Sequence, residues 1–375
     1  MLECCIIVWL RLSISPSEAE KGRVFMNVAR KSNLAQAIEQ MPKAELHVHL
    51  EGSISHETIE ELARKNGIDS YAARGRANPA RLRYGHLVDF LEAYRVRCKC
   101  LRSADDFQVA CTDVLESLHA LNVRYAEIMI APTLHRMNGL SMDEIMPVLA
   151  RTAGEFSKKN GLEARFILDV GRQFGREHAW QTVREAARQQ DSGVIAIGLG
   201  GDEVHYSPEL FVEQFAWARK QGLHLVAHAG EVGDSASVWG AVNSLGVERI
   251  GHGLGARGDE ALLETLRIRQ IPVDMCPTSN VETGAVRSYA DHPLADFLRR
   301  GLLVTVNSDD PAMFGTSLTQ EYSVCWQELG LAWSELKLLC LNGIRGSFLP
   351  DKDKERFLEE FTEELAEIES ETGLR

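Results

Sequence analysis

Eight short apolar segments, each followed by a polar loop and most by a longer stretch with helical periodicity, recur along this chain. The predicted strands are 44–49, 123–130, 164–170, 194–199, 223–228, 248–251, 271–275 and 302–307. The clearest predicted helices are 142–160, 178–190, 208–221, 235–245, 259–269 and 293–300. Eight successive strand-and-helix units are typical of a parallel sheet that closes on itself inside a ring of helices. The pattern therefore predicts an α/β fold, the (β/α)8 TIM barrel.

Two segments exceed this repeating unit. The interval 54–122 is too long for one helix and is predicted to hold two or three, which cover the mouth of the barrel. The segment from Leu331 is predicted to be helical, and it closes the bottom or side of the barrel or forms an oligomer contact. We interpret 27–375 as one domain and 1–26 as an extension that is disordered or an over-called start.

Composition excludes several classes of partner. The formal net charge of −13 argues against nucleic acid, because phosphate binding needs a basic face. The eight cysteines form no CxxC pair and indicate reduced thiols in a cytoplasmic protein. The apolar run 4–10 is too short to span a bilayer and lacks the basic flank of a signal peptide. We expect no membrane contact, and the oligomeric state stays open.

Ionisable side chains cluster at the ends of the predicted strands. His47 and His49 end the first strand, on the same side because side chains alternate. His228 ends the fifth strand, His252 follows the sixth, and Asp309 follows the eighth. The carboxyl ends of barrel strands converge on one pocket, so these groups are predicted to meet there.

Three imidazoles and a carboxylate suit one Zn²⁺ or another divalent metal. The predicted ligands are His47, His49, His228 and Asp309. Barrel hydrolases with two metals usually bridge them with a carboxylated lysine at the end of strand four, and no lysine lies between Lys159 and Lys220. One metal is therefore expected, with a position left for water whose pKa it lowers to about 7.

Two further groups suit catalysis beside that metal. His252 is expected to orient the attacking water, and Glu231 is expected to protonate a ring nitrogen as a general acid. Each motif has a simpler interpretation by itself: strand histidines held by backbone groups, or a turn at Asp309-Asp310-Pro311. The remaining eight histidines are interpreted as structural or surface residues: His56, His86, His119, His135, His178, His205, His224 and His292.

The chain resembles the adenosine deaminase family of the amidohydrolase superfamily. The resemblance depends on six segments in family order: KAELHVHLEGS at 43–53, GDE at 201–203, HAGEVG at 228–233, RIGHG at 249–253, CPTSN at 276–280 and NSDDP at 307–311. It implies the zinc ligands named above, and it implies that Glu231 protonates the purine at N1 while His252 and Asp309 handle the attacking water.

The resemblance also implies substrate contacts. His49 and the backbone of Gly201 face the purine, the latter at N3, and Asp310 bonds N7. Adenosine deaminases carry Asp where this chain has Glu51, at a position that looks toward the ribose 5′-hydroxyl. Adenine deaminases carry Glu there, but typically have a Glu-Glu-Gly-Pro run where this chain has Glu231-Val232-Gly233-Asp234.

Segments 310–318 and 237–241 are most similar to bacterial aminodeoxyfutalosine deaminases of menaquinone synthesis, whose nucleoside substrate carries an acidic aryl group at the 5′ end. The expected order of substrates is aminodeoxyfutalosine, adenosine, then adenine. Five arginines near the predicted lid are candidates for the carboxylate: Arg81, Arg83, Arg95, Arg97 and Arg102. The alternatives are a mononuclear amidohydrolase of another cyclic substrate and a binding protein without activity.

Overall fold

The computed structural model describes residues 32–69, 84, 87–232 and 234–374. The predicted extension 1–26, together with Arg81, Arg83 and His86, lies outside the described residues. A helix occupies 32–40, directly before the first strand.

All eight predicted strands are present. They are β1 (Lys43–His49), β2 (Val123–Ile130), β3 (Glu163–Gly171), β4 (Val194–Gly200), β5 (His224–Ala229), β6 (Arg249–His252), β7 (Val273–Met275) and β8 (Val304–Val306). Neighbours along the chain pair in parallel, in the order β1 to β8.

The ends of β1 and β8 meet and close the ring. Val48 bridges Asp309 in parallel, the His49 N–H donates to the Asp309 carbonyl at 2.9 Å, and the Asp309 N–H donates to the His47 carbonyl at 3.0 Å. The predicted TIM barrel is confirmed. This closure also places three of the predicted ligands side by side.

Helices separate most of the strands. The longer α-helices of the described ranges are His56–Lys65, Leu87–Lys99, Ala104–Ala120, Met142–Asn160, Gly175–Arg188, Val212–Lys220, Glu260–Arg269, Leu318–Gln327, Trp333–Arg345 and Asp351–Thr372. The shorter ones are Leu50–Ser53, Pro132–Met137, Ser235–Trp239, Pro277–Glu282, Leu294–Arg299 and Pro311–Phe314.

Three of the longer helices lie between β1 and β2, as expected, and Leu87–Lys99 covers the mouth of the barrel. The C-terminal helices close its side. In Trp333–Arg345, Gly343 lies so close to β1 that a Cβ there would be 3.1 Å from the Cβ of Ala44.

The barrel interior below the site is charged but internally paired. Arg249 lies fully buried between Glu127 and Asp274, with a nitrogen 2.6 Å from a carboxylate oxygen of each. Glu45 accepts hydrogen bonds from the Ser308 N–H at 2.9 Å and hydroxyl at 3.0 Å. Buried charges are tolerated where they are paired in this way, so this layer forms a rigid polar floor beneath the strand ends.

No helix in the ranges described above combines the length and the apolar character that a bilayer crossing needs. The cysteines described are all buried free thiols, namely Cys98, Cys100, Cys111, Cys276, Cys325 and Cys340.

Candidate functional site

The strand ends bring the predicted histidines and aspartate together. His47, His228, His252 and Asp309 are all buried, and each offers a ligand atom within 4.8 Å of the others. His49 falls in a second such group with Asp309 and Asp310. The two groups share Asp309, so their six side chains form one cluster that fits a metal ion.

Three distances between ligand atoms of the cluster fit a four-coordinate metal ion. Asp309 Oδ1 lies 3.4 Å from His47 Nε2 and 3.3 Å from His49 Nε2. His49 Nε2 lies 3.3 Å from His228 Nε2. A four-coordinate ion with bonds of about 2.0–2.1 Å has ligand atoms about 3.3–3.4 Å apart. These three separations match the edges of such a tetrahedron.

The oxygen atoms behind the rings also fit a metal. His228 Nδ1 lies 3.2 Å from the Leu199 carbonyl, and His49 Nδ1 lies 3.5 Å from Asp169 Oδ2. Metal-binding imidazoles usually donate their second N–H to such an oxygen, which leaves the other nitrogen free to ligate. Neither ring nitrogen of buried His47 has a hydrogen-bond partner, which an ion at Nε2 would satisfy.

The negative charge of the carboxylates around His49 also favours a bound cation. Burial lowers the pKa of His49, but the carboxylates of Asp310, Asp309 and Asp169 raise it to about 10. Burial raises the pKa of Asp309, whereas the imidazoles of His47 and His49 beside its carboxylate hold it well below its usual range. So many carboxylates beside buried imidazoles are the donor set of a divalent cation.

Two of these residues have unusual backbone geometry. His252 and Asp309 both have a φ of 63°, in the left-handed region that non-glycine residues rarely adopt. Such conformations persist where the surrounding structure enforces them, and they cluster at functional sites. The turn re-aims each side chain from the end of its strand into the pocket.

Glu231 lies in the same pocket. One carboxylate oxygen is 3.9 Å from His252 Nε2. Burial raises the pKa of Glu231 well above its ordinary value, and the nearby carboxylates of Asp309 and Glu203 raise it further. Burial and these carboxylates therefore favour the protonated, neutral form of Glu231.

The loop that carries Glu231 is held by one carboxylate. Glu203, almost fully buried, accepts from the backbone N–H groups of Gly230, Glu231 and Val232, the last two at 2.9 and 3.1 Å. Charge-assisted bonds of this kind are about twice as strong as neutral ones. Glu203 therefore fixes where the acid group of Glu231 points.

We expect Glu203→Gln to lower the free energy of unfolding by about 1–3 kcal/mol, because an amide has one acceptor oxygen and sets its NH₂ against backbone donors. Denaturant titration measures this loss. The matched control is Glu213→Gln, whose carboxylate pairs with Arg176 on the exposed surface and should cost less than about 1 kcal/mol. Equal losses in both variants would contradict the role of Glu203.

An inner cavity opens beside the cluster. Its lining includes His49, His228, Glu231, His252, Asp309 and Asp310, the backbone of Gly200 and Gly201, and the apolar side chains of Phe90, Leu91, Leu134, Val170 and Phe174. Asp310 Oδ1 is buried without a hydrogen-bond partner and lies against Gly52, where a Cβ would be 1.6 Å from it. A Cβ at Gly201, where φ is 92°, would lie 2.1 Å from Gln173 Oε1, so only glycine fits that wall.

Glu51 differs from its expected position. Its buried carboxylate accepts from the Tyr94 hydroxyl at 2.7 Å and the Ala131 N–H at 3.1 Å, and it lies 2.5 Å from His135 Nε2. Both oxygens are thus engaged by protein donors, and Glu51 does not line the inner cavity. The structure places it behind Tyr94, whose ring does line that cavity.

The inner cavity continues into an outer chamber. The two share Leu87, Leu91, Arg95, Gln173, Phe174 and Glu231. The outer chamber adds Val204 and Val232, which are 66% and 49% exposed. The two enclose about 810 and 1420 Å³, open mouths included, so a ligand that fills the inner cavity has room to extend outward.

The described lid arginines have different roles. Arg95 is exposed and borders both cavities, with no hydrogen bond or ion pair to any described residue. Arg97 is fully buried and donates to the carbonyls of Glu51 and Ile54. Arg102 donates to the Lys99 carbonyl outside both cavities. Arg95 alone of these three faces the chamber.

Several site residues escaped sequence reasoning. Asp169 lies near the end of β3, where the rule applied to the histidines would have found it. Ser279 donates to Asp309 Oδ2 at 2.6 Å, and Asn280 bonds His252; both lie in a recognised motif without an assigned role. His135 and His292, interpreted as structural or surface residues, are buried beside the site, and no sequence signal marks their partners.

Comparison with known proteins identifies a matching family and two similar relatives. The family described as Adenosine deaminase matches residues 42–364. An adenine deaminase of Wolinella succinogenes is 35% identical over 322 residues, 86% of this chain and 97% of that one. An aminodeoxyfutalosine deaminase of Streptomyces coelicolor is 37% identical over 327 residues, 86% of this chain and 84% of that one.

Among solved structures, an amidohydrolase of Burkholderia ambifaria with bound Zn is similar, with a TM-score of 0.83 and 25% identity, covering 97% of both chains.

Proposed function

The chain belongs to the adenosine deaminase family and is a metal-dependent purine deaminase, and we propose that it hydrolyses the C6 amino group of a 6-aminopurine nucleoside, releasing ammonia. One observation carries this proposal. Glu231, Asp310 and four members of the metal-binding cluster border one cavity with apolar walls, as a planar ring with polar edges requires; the four are His49, His228, His252 and Asp309.

We assign the metal site to one Zn²⁺, held by His47, His49, His228 and Asp309. Their spacing and second hydrogen bonds support this set, as does the zinc in the related amidohydrolase. When bound, zinc lowers the pKa of a water and supplies hydroxide near neutral pH.

The chain's own groups perform the remaining steps. Glu231 donates its proton to N1, which draws electrons away from C6 as the water oxygen attacks there. Asp309 takes the proton from that water, and His252 holds the attacking oxygen in position. The C6 amino group then takes the proton held by Asp309, the C6–N bond breaks and ammonia leaves. The new C6 hydroxyl becomes a carbonyl and returns its proton to Glu231.

The purine edge is held by two further groups. N3 and N7 are lone-pair acceptors, so each needs a donor. The Gly201 N–H serves N3, and a protonated Asp310 carboxyl serves N7; burial and the neighbouring carboxylate of Asp309 raise the pKa of Asp310 well above its usual value. Glu51 acts at the 5′ side through Tyr94, whose hydroxyl it holds.

Among nucleosides, aminodeoxyfutalosine is the best specific candidate, which places the enzyme in menaquinone biosynthesis. The apolar outer chamber suits an aryl group at the 5′ end, and Arg95 at its border suits a carboxylate. The Streptomyces coelicolor relative carries this name. Adenosine follows as the simpler nucleoside.

Adenine is the third candidate. Glu51 is the residue type of adenine deaminases, and in this structure it holds the hydroxyl of Tyr94, which lines the inner cavity. The Wolinella succinogenes relative carries the name adenine deaminase.

A kinetic comparison decides among the three. We expect kcat/KM to be highest for an adenosine with a carboxyaryl group at the 5′ end, lower for adenosine and lowest for adenine. Ammonia release measures each rate. The nucleoside proposal fails if adenine is the best substrate.

Replacing Arg95 tests the carboxylate contact directly. We expect Arg95→Met to lower kcat/KM for the carboxyaryl nucleoside about tenfold, the value of one solvent-exposed charge-assisted bond. The rate with adenosine, which lacks the carboxylate, should change less than about twofold. Arg102→Met is the control, since Arg102 lies outside both cavities. Equal losses with both substrates would contradict the contact.

A further inference from the structure

We propose that Asn280 and His292 are positioning residues that hold His252 as the neutral tautomer with its proton on Nε2. The inference deepens the proposed function, because it defines what His252 can do in the reaction. It depends on a continuous chain of hydrogen bonds that ends in the cavity.

The chain links four residues from three segments. The Leu294 N–H lies 3.2 Å from His292 Nδ1, and His292 Nε2 lies 3.1 Å from Asn280 Oδ1. Asn280 Nδ2 then lies 3.0 Å from His252 Nδ1. The side chains of His252, Asn280 and His292 are all buried, at 1%, 0% and 6% exposure, so water does not compete for these bonds.

The Leu294 N–H at the start of this chain sets the direction of every hydrogen bond in it. A backbone N–H can only donate, so His292 Nδ1 must accept and its proton must lie on Nε2. That proton is donated to Asn280, which receives it with its carbonyl oxygen and therefore turns its NH₂ toward His252. His252 Nδ1 must then accept, and the remaining proton of the neutral ring lies on Nε2.

His292 enters this chain of hydrogen bonds as a neutral ring. Burial, with the positive charge of Arg257 nearby, lowers the pKa of His292 to about 3. The ring is therefore uncharged at neutral pH, and it has one proton to place.

His252 and Asp309 therefore have different roles in the reaction. An Nε2 that carries a proton has no lone pair for a metal, so His252 is not a ligand although it lies in the buried cluster. The same N–H donates to the oxygen that attacks C6. The proton that leaves the water must then go to Asp309 and not to His252.

A variant that reverses the polarity of the chain tests this. Asn280→Asp keeps the shape but presents an acceptor to His252, so it moves the proton to Nδ1. We expect kcat for purine deamination to fall about 100-fold, as when a preorganised donor or a catalytic histidine tautomer is lost. KM should change less than about threefold, because Asn280 does not line the inner cavity.

His292 supplies a second, independent pair of variants. His292→Leu removes the donor to Asn280 and lets its amide rotate, so kcat should fall. His292→Gln offers an amide NH₂ to Asn280 and a carbonyl to the Leu294 N–H, so it should restore most of kcat. If His292 had only a structural role, the two variants would have the same kcat when both are equally folded.

The tautomer itself is the decisive readout, and it needs no substrate. Long-range ¹H–¹⁵N spectra of the metal-loaded protein labelled at histidine show which ring nitrogen carries hydrogen, with His252→Gln identifying the signals. We expect Nε2–H in the natural protein and Nδ1–H in Asn280→Asp. A proton on Nδ1 in the natural protein overturns the inference, even if deamination is confirmed. If the protein deaminates no purine, the spectra still decide the tautomer.

Discussion

Replacing Glu231 with Gln is expected to lower kcat for purine deamination by about 10²–10⁴-fold, the usual contribution of a positioned general acid. An amide has the size of the acid but cannot release a proton to N1. Burial and the carboxylates of Asp309 and Glu203 raise the pKa of Glu231 well above its usual value, which favours the protonated form that the variant cannot supply.

Steady-state ammonia release measures this loss, and the metal content and the unfolding midpoint show that the site survives. The matched control is Glu213→Gln on the exposed surface, which should keep full activity. Near-normal activity in Glu231→Gln would favour the alternative of a mononuclear amidohydrolase that needs no acid at a ring nitrogen. The absence of both ammonia release and stoichiometric metal would favour a binding protein.

The second large effect concerns the metal. We expect His49→Ala to lose the bound metal after dialysis and with it about 10³-fold or more in kcat, since each histidine supplies one of four ligands. His252→Ala should lose a similar share of activity but keep one metal per chain. The reason is that His49 Nε2 lies 3.3 Å from both His228 Nε2 and Asp309 Oδ1, whereas Asn280 donates to Nδ1 of His252.

Elemental mass spectrometry of the dialysed variants measures the stoichiometry. His224→Ala is the control, because that imidazole is partly exposed at the start of β5 and pairs with Glu248; it should leave metal and activity unchanged. If His252→Ala lost the metal and His49→Ala kept it, His252 would be the metal ligand and His49 would not.

Where the prediction of the fold succeeded, the signals were local. Helix Met142–Asn160 has the bounds that the sequence predicts, because Ser141 and Glu144 form a capping box and Gly161 adopts a φ of 78°. These interactions lie within a few residues of the helix end. Strand β2 also matches, since a β-branched and apolar run needs no distant partner to be recognised.

The observed bounds differ from the predicted ones where contacts with other segments set the ends of an element. The predicted strands 271–275 and 302–307 shorten to Val273–Met275 and Val304–Val306, because their ends are set by the neighbouring strand. The predicted helix 235–245 is Ser235–Trp239 followed by a wider helical turn at Gly240–Leu245. There Gly240 packs so tightly that a Cβ would lie 2.4 Å from Glu209 Oε1.

The sequence by itself determined the barrel and the edge at which its chemistry gathers. Side-chain alternation and the end of each apolar run are local properties, so His47, His49, His228, His252 and Asp309 could be assigned to one pocket before any contact was known. The family followed from the same segments.

Only the tertiary structure decided how those groups divide the work. The polar partners of these groups come from distant segments: Asp169 for His49, Glu203 for the Glu231 loop and Asn280 for His252. A partner's identity depends on distances of a few tenths of an ångström and on the direction of each proton, and neither is encoded in the spacing of residues along the chain.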